Sequence, residues 1–108
     1  MTLRTPETEE AYTRYRKGKD FSTDCFICKK SISIGKYWQI MPNEFPYDAI
    51  ASEHYVISTK EHTPEMDRNA YLELQELKKE FNYDQLIENS TPSRSAPAHY
   101  HLHMVKLK

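Results

Sequence analysis

The clearest periodicity in the chain lies at its end, where His99-Tyr100-His101-Leu102-His103-Met104-Val105 alternates histidines with apolar residues. Alternation at every second position predicts a β-strand, with His99, His101 and His103 on one face and Tyr100, Leu102 and Met104 on the other. A strand rises about 3.3 Å per residue, so the outer two histidines stand about 13 Å apart and all three cannot bind one metal ion. Two further apolar runs, Tyr37 to Met41 and Tyr55 to Ser58, also predict strands, and Ser31 to Ile34 is a short segment set off by Gly35-Lys36. Helical periodicity replaces alternation between them and the end: Met66, Ala70, Leu74, Leu77 and Phe81 recur at three and four over about 17 residues opposite a face of Glu and Lys. Thr63 is the predicted N-cap of this helix, with Pro64 in its first turn. A shorter helix runs from Pro6 to about Lys17, with Thr5 as N-cap and Gly18 as its end. Its apolar stripe of Ala11, Tyr12 and Tyr15 is thin, which predicts an extension over residues 1–20 packed on a domain formed by residues 21–108. Residues 88–98 form a polar loop that delivers the chain to the histidine strand.

Composition narrows the picture. A chain of 108 residues with 38% hydrophobic content forms one domain with a modest core. Two glycines are few, so the six prolines and neighbouring Asn and Ser residues supply turns. A formal net charge of −1 gives no electrostatic reason for a nucleic-acid or membrane partner, and no stretch has the length of a membrane span. Met1 to Glu7 lacks the apolar core of a signal peptide, so the expected compartment is the cytoplasm. Thiols stay reduced there, which favours metal binding or redox chemistry over a disulfide at Cys25-Phe26-Ile27-Cys28.

The cysteine pair has the spacing of half a zinc site, and no second pair exists. His62 follows Cys28 by 34 residues and His99 follows His62 by 37, so Cys25, Cys28, His62 and His99 can form a closed tetrahedral set. Two alternatives stand beside it. The thiols can be small buried residues with unrelated surface histidines, or a thioredoxin-like redox pair. The second needs a helix starting at the first cysteine and a parallel sheet, whereas Lys29 to Ser33 shows no helical pattern. His54 is expected at a strand edge, bonded to a neighbouring backbone group, and not as a metal ligand.

The order of these features, Cys-x-x-Cys, a strand ending at Lys60-Glu61-His62, a long helix, a loop and the alternating histidines, resembles the histidine triad (HIT) superfamily over residues 25 to 105. The resemblance implies an α+β fold with an antiparallel meander sheet of about five strands, one long helix and the short N-terminal helix, commonly as a homodimer. Zinc-containing members would hold a structural Zn2+ with Cys25, Cys28, His62 and His99. The implied activity is hydrolysis or nucleotidyl transfer at the α-phosphate of a small-molecule nucleotide, through a covalent intermediate on His101, while His103 orients the phosphate oxygens. Hydroxyls of Ser93 and Ser95 are candidates for the phosphate loop. Family hydrolases place that hydroxyl three residues before the first triad histidine, where this chain has Ala96, and an Asn eleven residues before it, where this chain has Glu88 with Asn89 next to it. Both departures suggest a one-residue slip. A nucleoside would lie against the segment before His54, with Phe45, Pro46 and Tyr47 over the base and Asn43 or Asp48 accepting ribose hydroxyls. That segment can equally be an aromatic loop packed on the core. An altered phosphate loop also admits the alternative of a zinc-stabilised nucleotide-binding or interaction module with weak or lost catalysis.

Overall fold

The computed structural model describes residues 3–19, 25–90 and 96–108. Among these, three helices and five strands form an α+β fold: α1 (Pro6–Arg16), α2 (Phe26–Lys30), β1 (Ile32–Ser33), β2 (Trp38–Pro42), β3 (Ala51–Thr59), α3 (Arg68–Glu80), β4 (Gln85–Ile87) and β5 (His101–Leu107). All pairings are antiparallel, in the order β1-β2-β3-β5-β4. The sheet is therefore not the simple meander expected. After α3 the chain lays β4 at the far edge and returns with β5 between β3 and β4. An apolar strand carrying Leu102, Met104 and Val105 needs neighbours on both sides to bury its backbone and both of its faces. β4 has no strong pattern of its own and takes its structure from pairing with Val105, Met104 and His103.

The sheet has two different faces. One carries Trp38, Ile57, Leu102 and Met104, which pack with Tyr100 against Ala70, Leu74 and Leu77 of α3. This is the helical stripe and the apolar half of the alternating segment meeting each other. Trp38 is fully buried and donates its indole N–H to the Ala70 carbonyl at 2.7 Å, which fixes the helix against β2. Glu73 ties the same helix to the turn before β2 by accepting from the backbone N–H groups of Lys36 and Tyr37 at 2.9 and 2.8 Å. A Cβ at Gly35 would stand 2.5 Å from that carboxylate, so a larger residue there would push the Glu73 side chain away from the two amides.

The long helix begins later than its apolar spacing predicts. Its N-cap is Asp67, whose side chain accepts from Ala70 N at 2.8 Å, and not Thr63. Thr63 instead accepts the Tyr100 backbone N–H at 2.6 Å through its carbonyl, and so helps to seat the start of β5. Replacing Asp67 by Ala should therefore cost about 1 kcal/mol in chemical denaturation, and Thr63→Ala distinctly less. Equal losses would place the cap elsewhere. α1 follows its expected bounds, with Thr5 as N-cap, Pro6 in the first turn and Gly18 at φ +76° just beyond the C-cap residue Lys17. A single helical turn, α2, starts directly after Cys25, where no helical pattern is visible in sequence.

Candidate functional site

The second face of the sheet carries His54, Val56 and Ser58 of β3 paired across to Val105, His103 and His101 of β5. The predicted alternation holds for His101 and His103. His99 lies in the turn before β5 and not within the strand, its backbone N–H donating to the Ala96 carbonyl at 3.2 Å. That turn lets the His99 ring leave the row and swing towards the cysteines.

Four potential ligands meet there. Nδ1 of His99 lies 3.4 Å from both Cys25 Sγ and Cys28 Sγ, and His62 Nδ1 lies 3.2 Å from Cys28 Sγ. All four ligand atoms fall within 4.8 Å of one another. Tetrahedral bonds of about 2.3 Å to sulfur and 2.0 Å to nitrogen separate ligand atoms by roughly 3.3–3.8 Å, so the cluster fits a metal ion with little adjustment. α2 makes this possible, because one turn of helix brings residues three apart to the same side. The helix at the cysteines meets one requirement of a thioredoxin-like motif, but the wholly antiparallel sheet lacks the other. On its far side the His99 ring contacts the Thr59 carbonyl at 2.5 Å through Nε2. That bond places the proton on Nε2 and leaves the Nδ1 lone pair towards the thiols, the tautomer a metal ligand needs. Cys25 and His99 are buried, whereas Cys28 and His62 are exposed. Burial, then the neighbouring Cys25, push the Cys28 thiol up to about 11. A bound dication would reverse that preference and hold it as thiolate.

The other histidines form a separate chain whose tautomers follow from their partners. His54 Nδ1 accepts the backbone N–H of Tyr47 at 2.9 Å, so a neutral His54 carries its proton on Nε2 and donates it to His103 Nδ1 at 2.8 Å. His103 is then protonated on Nε2, which faces the Asn89 amide at 3.3 Å; the same amide lies 3.0 Å from the Tyr47 hydroxyl. Because Nε2 donates, the amide accepts there through its oxygen, an orientation reached by a half-turn of the carboxamide. His101 Nδ1 donates to the His99 carbonyl at 2.9 Å, which puts its lone pair on Nε2. The His101 and His103 rings stand edge to face at 5.3 Å. Burial, reinforced by the Arg4 charge, lowers His54 to about 4, and burial with the nearby His101, His54 and Arg4 holds His103 well below 6.5.

This burial has a pH consequence. Unfolded His54 titrates near 6.5 and folded His54 near 4, so between those values the unfolded state binds more protons. Stability should be full above about pH 6.5 and fall as the pH drops towards 4. Urea midpoints at several pH values, compared between wild type and His54→Asn, isolate the effect from acid release of a metal. Parallel pH profiles for the two proteins would refute it.

A cleft of about 480 Å3, part of it open to solvent, ends on His101 and His103. Met41 and Val56 of the sheet line it, together with Tyr12, Tyr15, Phe26, Asn43, Phe45, Arg4, Lys30 and Glu44. Phe45 and Asn43 line the cleft, each engaged with other groups of the protein. The Phe45 ring packs on Tyr15 at 4.9 Å and Tyr12 at 5.4 Å, and Asn43 Oδ1 accepts the Phe45 backbone N–H at 2.8 Å. Tyr47 is buried between Arg4 and the histidines.

Asp48 requires a correction. Its carboxylate clasps α1, accepting from Thr5 N at 2.8 Å, Thr8 Oγ1 at 2.6 Å and Thr5 Oγ1 at 3.2 Å, and it does not line the cleft. A carboxylate at a helix N-terminus satisfies exposed amides there, which competes with any ribose. Asn89 bonds to His103 and Tyr47. Ser93 and Ser95 lie outside the described residues. Ala96 is buried with Cys25, Ile27, Met41 and Val56, and so brings no hydroxyl to the site.

Two contributors were not legible in the chain. His54 carried a signal in retrospect, since His54, Val56 and Ser58 alternate as the triad does. Arg4 carried none, because only packing of the N-terminal segment brings it to the cleft. Among the described residues no helix is long and apolar enough to cross a membrane. No curated protein and no solved structure matches the chain. Residues 16–106 match the model of a family described as a domain of unknown function, DUF4922, and the chain, with its cysteine pair, long helix and histidine strand all inside that match, belongs to this family.

Proposed function

We propose that this protein is a nucleotide hydrolase or nucleotidyl transferase of HIT-like architecture that acts at an α-phosphate through His101. The observation that carries the reading is the bond from His101 Nδ1 to the His99 carbonyl, which orients the ring and sets its lone pair on Nε2 at the end of the cleft. In the first step Nε2 attacks the α-phosphorus; the P–N bond forms as the bond to the leaving group breaks, and that bond's electron pair departs with the group, which takes a proton from water. The Nδ1 proton stays on His101 and keeps its bond to the His99 carbonyl. Water then attacks phosphorus, the P–N bond breaks with its electrons returning to Nε2, and the proton of that water passes to solvent. Another nucleophile in place of water makes the same protein a transferase. His103, neutral and held at both ring nitrogens by His54 and Asn89, stands edge to face against the His101 ring and supports its orientation.

Zinc is the metal this reading assigns to Cys25, Cys28, His62 and His99, since two thiolates and two imidazoles in a tetrahedral set suit it best. Four protein ligands leave no position for water or substrate, so the metal is structural. Its supporting role is to anchor His99, whose carbonyl holds His101.

The direct test is to incubate the protein with radiolabelled adenosine phosphoramidate and with a diadenosine polyphosphate, quench, and look for an acid-labile nucleotidyl group on the peptide bearing His101. A labelled His101 peptide supports the reading. Turnover with label elsewhere refutes the assigned nucleophile, and nucleotide binding with neither label nor turnover identifies a binding module instead. Buried Ala96, in place of a phosphate-loop hydroxyl, is the observation that would fit that outcome.

A further inference from the structure

The cluster of Cys25, Cys28, His62 and His99 is asymmetric. Cys25 is buried, at 8% exposure, whereas Cys28 faces solvent beside His62, which is also exposed. The two sulfurs lie within 4.8 Å of one another, Cys25 at the residue before α2 and Cys28 inside it. Residues three apart on one helical turn have Cα atoms within the roughly 4.4–6.8 Å that a disulfide spans.

The two links open to these sulfurs connect different parts of the protein. A metal ion held by all four side chains ties α2 to His62, 34 residues from Cys28, and to His99, 71 residues from it. A disulfide ties the turn only to itself, and so short a loop constrains the chain little. Exchanging the metal for the disulfide therefore keeps the local turn and gives up the long-range link. It also leaves only the two imidazoles, short of the four donors of a structural zinc site. His99 takes the first effect. Its ring keeps the bond to Thr59 through Nε2, but its Nδ1, 3.4 Å from both sulfurs, loses its partner on that side. The His99 carbonyl holds His101, so the change reaches the cleft.

Building on the metal assignment made above, we infer that Cys25 and Cys28 form a reversible redox switch: a peroxide converts the metal-bound thiolate pair to a disulfide, releases the metal and loosens the turn that orients His101. The exposed Cys28 thiolate attacks a peroxide oxygen; the S–O bond forms, the O–O bond breaks and hydroxide leaves. The Cys25 thiolate then attacks the Cys28 sulfur, the S–S bond forms and a second hydroxide leaves. The two thiolates lose two electrons, and the peroxide gains them and takes two protons from solvent to end as two waters. One Zn2+ is set free. A dithiol reductant reverses the exchange and itself becomes a disulfide.

The test takes the full chain purified under reducing conditions and then freed of reductant. Hydrogen peroxide is added while a colorimetric chelator reports free zinc against a sample without peroxide. The tryptic peptide Asp20–Lys29, which carries both cysteines, is weighed by mass spectrometry. One zinc and one disulfide should appear together per chain, with a fall in melting temperature that dithiothreitol and zinc restore. Restoration separates the thiol reaction from methionine oxidation, which dithiothreitol does not reverse. Cys28→His keeps four donors without the exposed thiol, and it should release zinc about tenfold more slowly or less readily still. Release from this variant at the wild-type rate overturns the inference. If the variant does not fold, wild type decides alone: zinc lost with the cysteines driven to sulfinic or sulfonic acid and no disulfide, or a melting temperature that is unmoved by release or not restored, overturns it. Protein purified without stoichiometric zinc overturns the metal assignment and this inference together, whereas zinc retained through peroxide treatment overturns this inference alone.

Discussion

Replacing His101 by Ala is expected to reduce turnover of adenosine phosphoramidate by roughly 10^3-fold or more, while nucleotide affinity stays within a few fold. The size of the effect follows from the role. Removing a residue that only contacts substrate forfeits one interaction, but removing a nucleophile forfeits the intermediate and leaves only direct attack by water. The structure makes the substitution interpretable, because His101 lies on the cleft face of the sheet and the apolar face against α3 does not contain it. Steady-state kinetics by chromatography of the released nucleotide give the answer. Equal turnover by both proteins would sink the assignment.

Loss of the metal is the second large effect expected. Purified protein should contain one zinc per chain, and chelation, or Cys25→Ser, should lower stability by on the order of 5 kcal/mol, a large part of what a domain of this size possesses. The four side chains come from three parts of the chain: the start of α2, the loop after β3, and the turn before β5. Without the metal, the turn at His99 would keep the bond to Thr59, the backbone contacts around it and the packing of Ala96 against Cys25 and Ile27. Activity should then fall together with thermal stability, since the His99 carbonyl sets the orientation of His101. Absence of stoichiometric metal, or a Cys25→Ser variant that melts at the wild-type temperature with and without chelator, would show the cluster to be incidental. A variant that loses metal and stability but retains full kcat at low temperature would instead separate the anchoring role from the chemical one.

Several elements were legible because local pattern and burial agree. Leu74 and Leu77 lie on α3 where their spacing places them, and Leu102 and Met104 meet them across the sheet as alternation requires. The clustering of Cys25, Cys28, His62 and His99, a set able to hold a metal ion, follows from residue type and order. Other features had no local signature. Thr63-Pro64 is as good a helix start as Asp67, and the choice went to Asp67 because the Thr63 carbonyl pairs with Tyr100. β4 is three residues long and exists through its partner strand. Asp48 is equally suited to a ribose and to a helix terminus, and the proximity of Thr5 and Thr8 decided it.

The sequence alone determined the periodic elements, the two faces of the histidine strand and the S2N2 donor set, since each depends on residue identity and short-range spacing. The tertiary structure alone decided that β5 lies inside the sheet, that His99 leaves the row at a turn, that His54 joins His103, and that Arg4 reaches the cleft. Those outcomes depend on which distant segments bury one another's backbone and charge, and a local pattern carries no record of that.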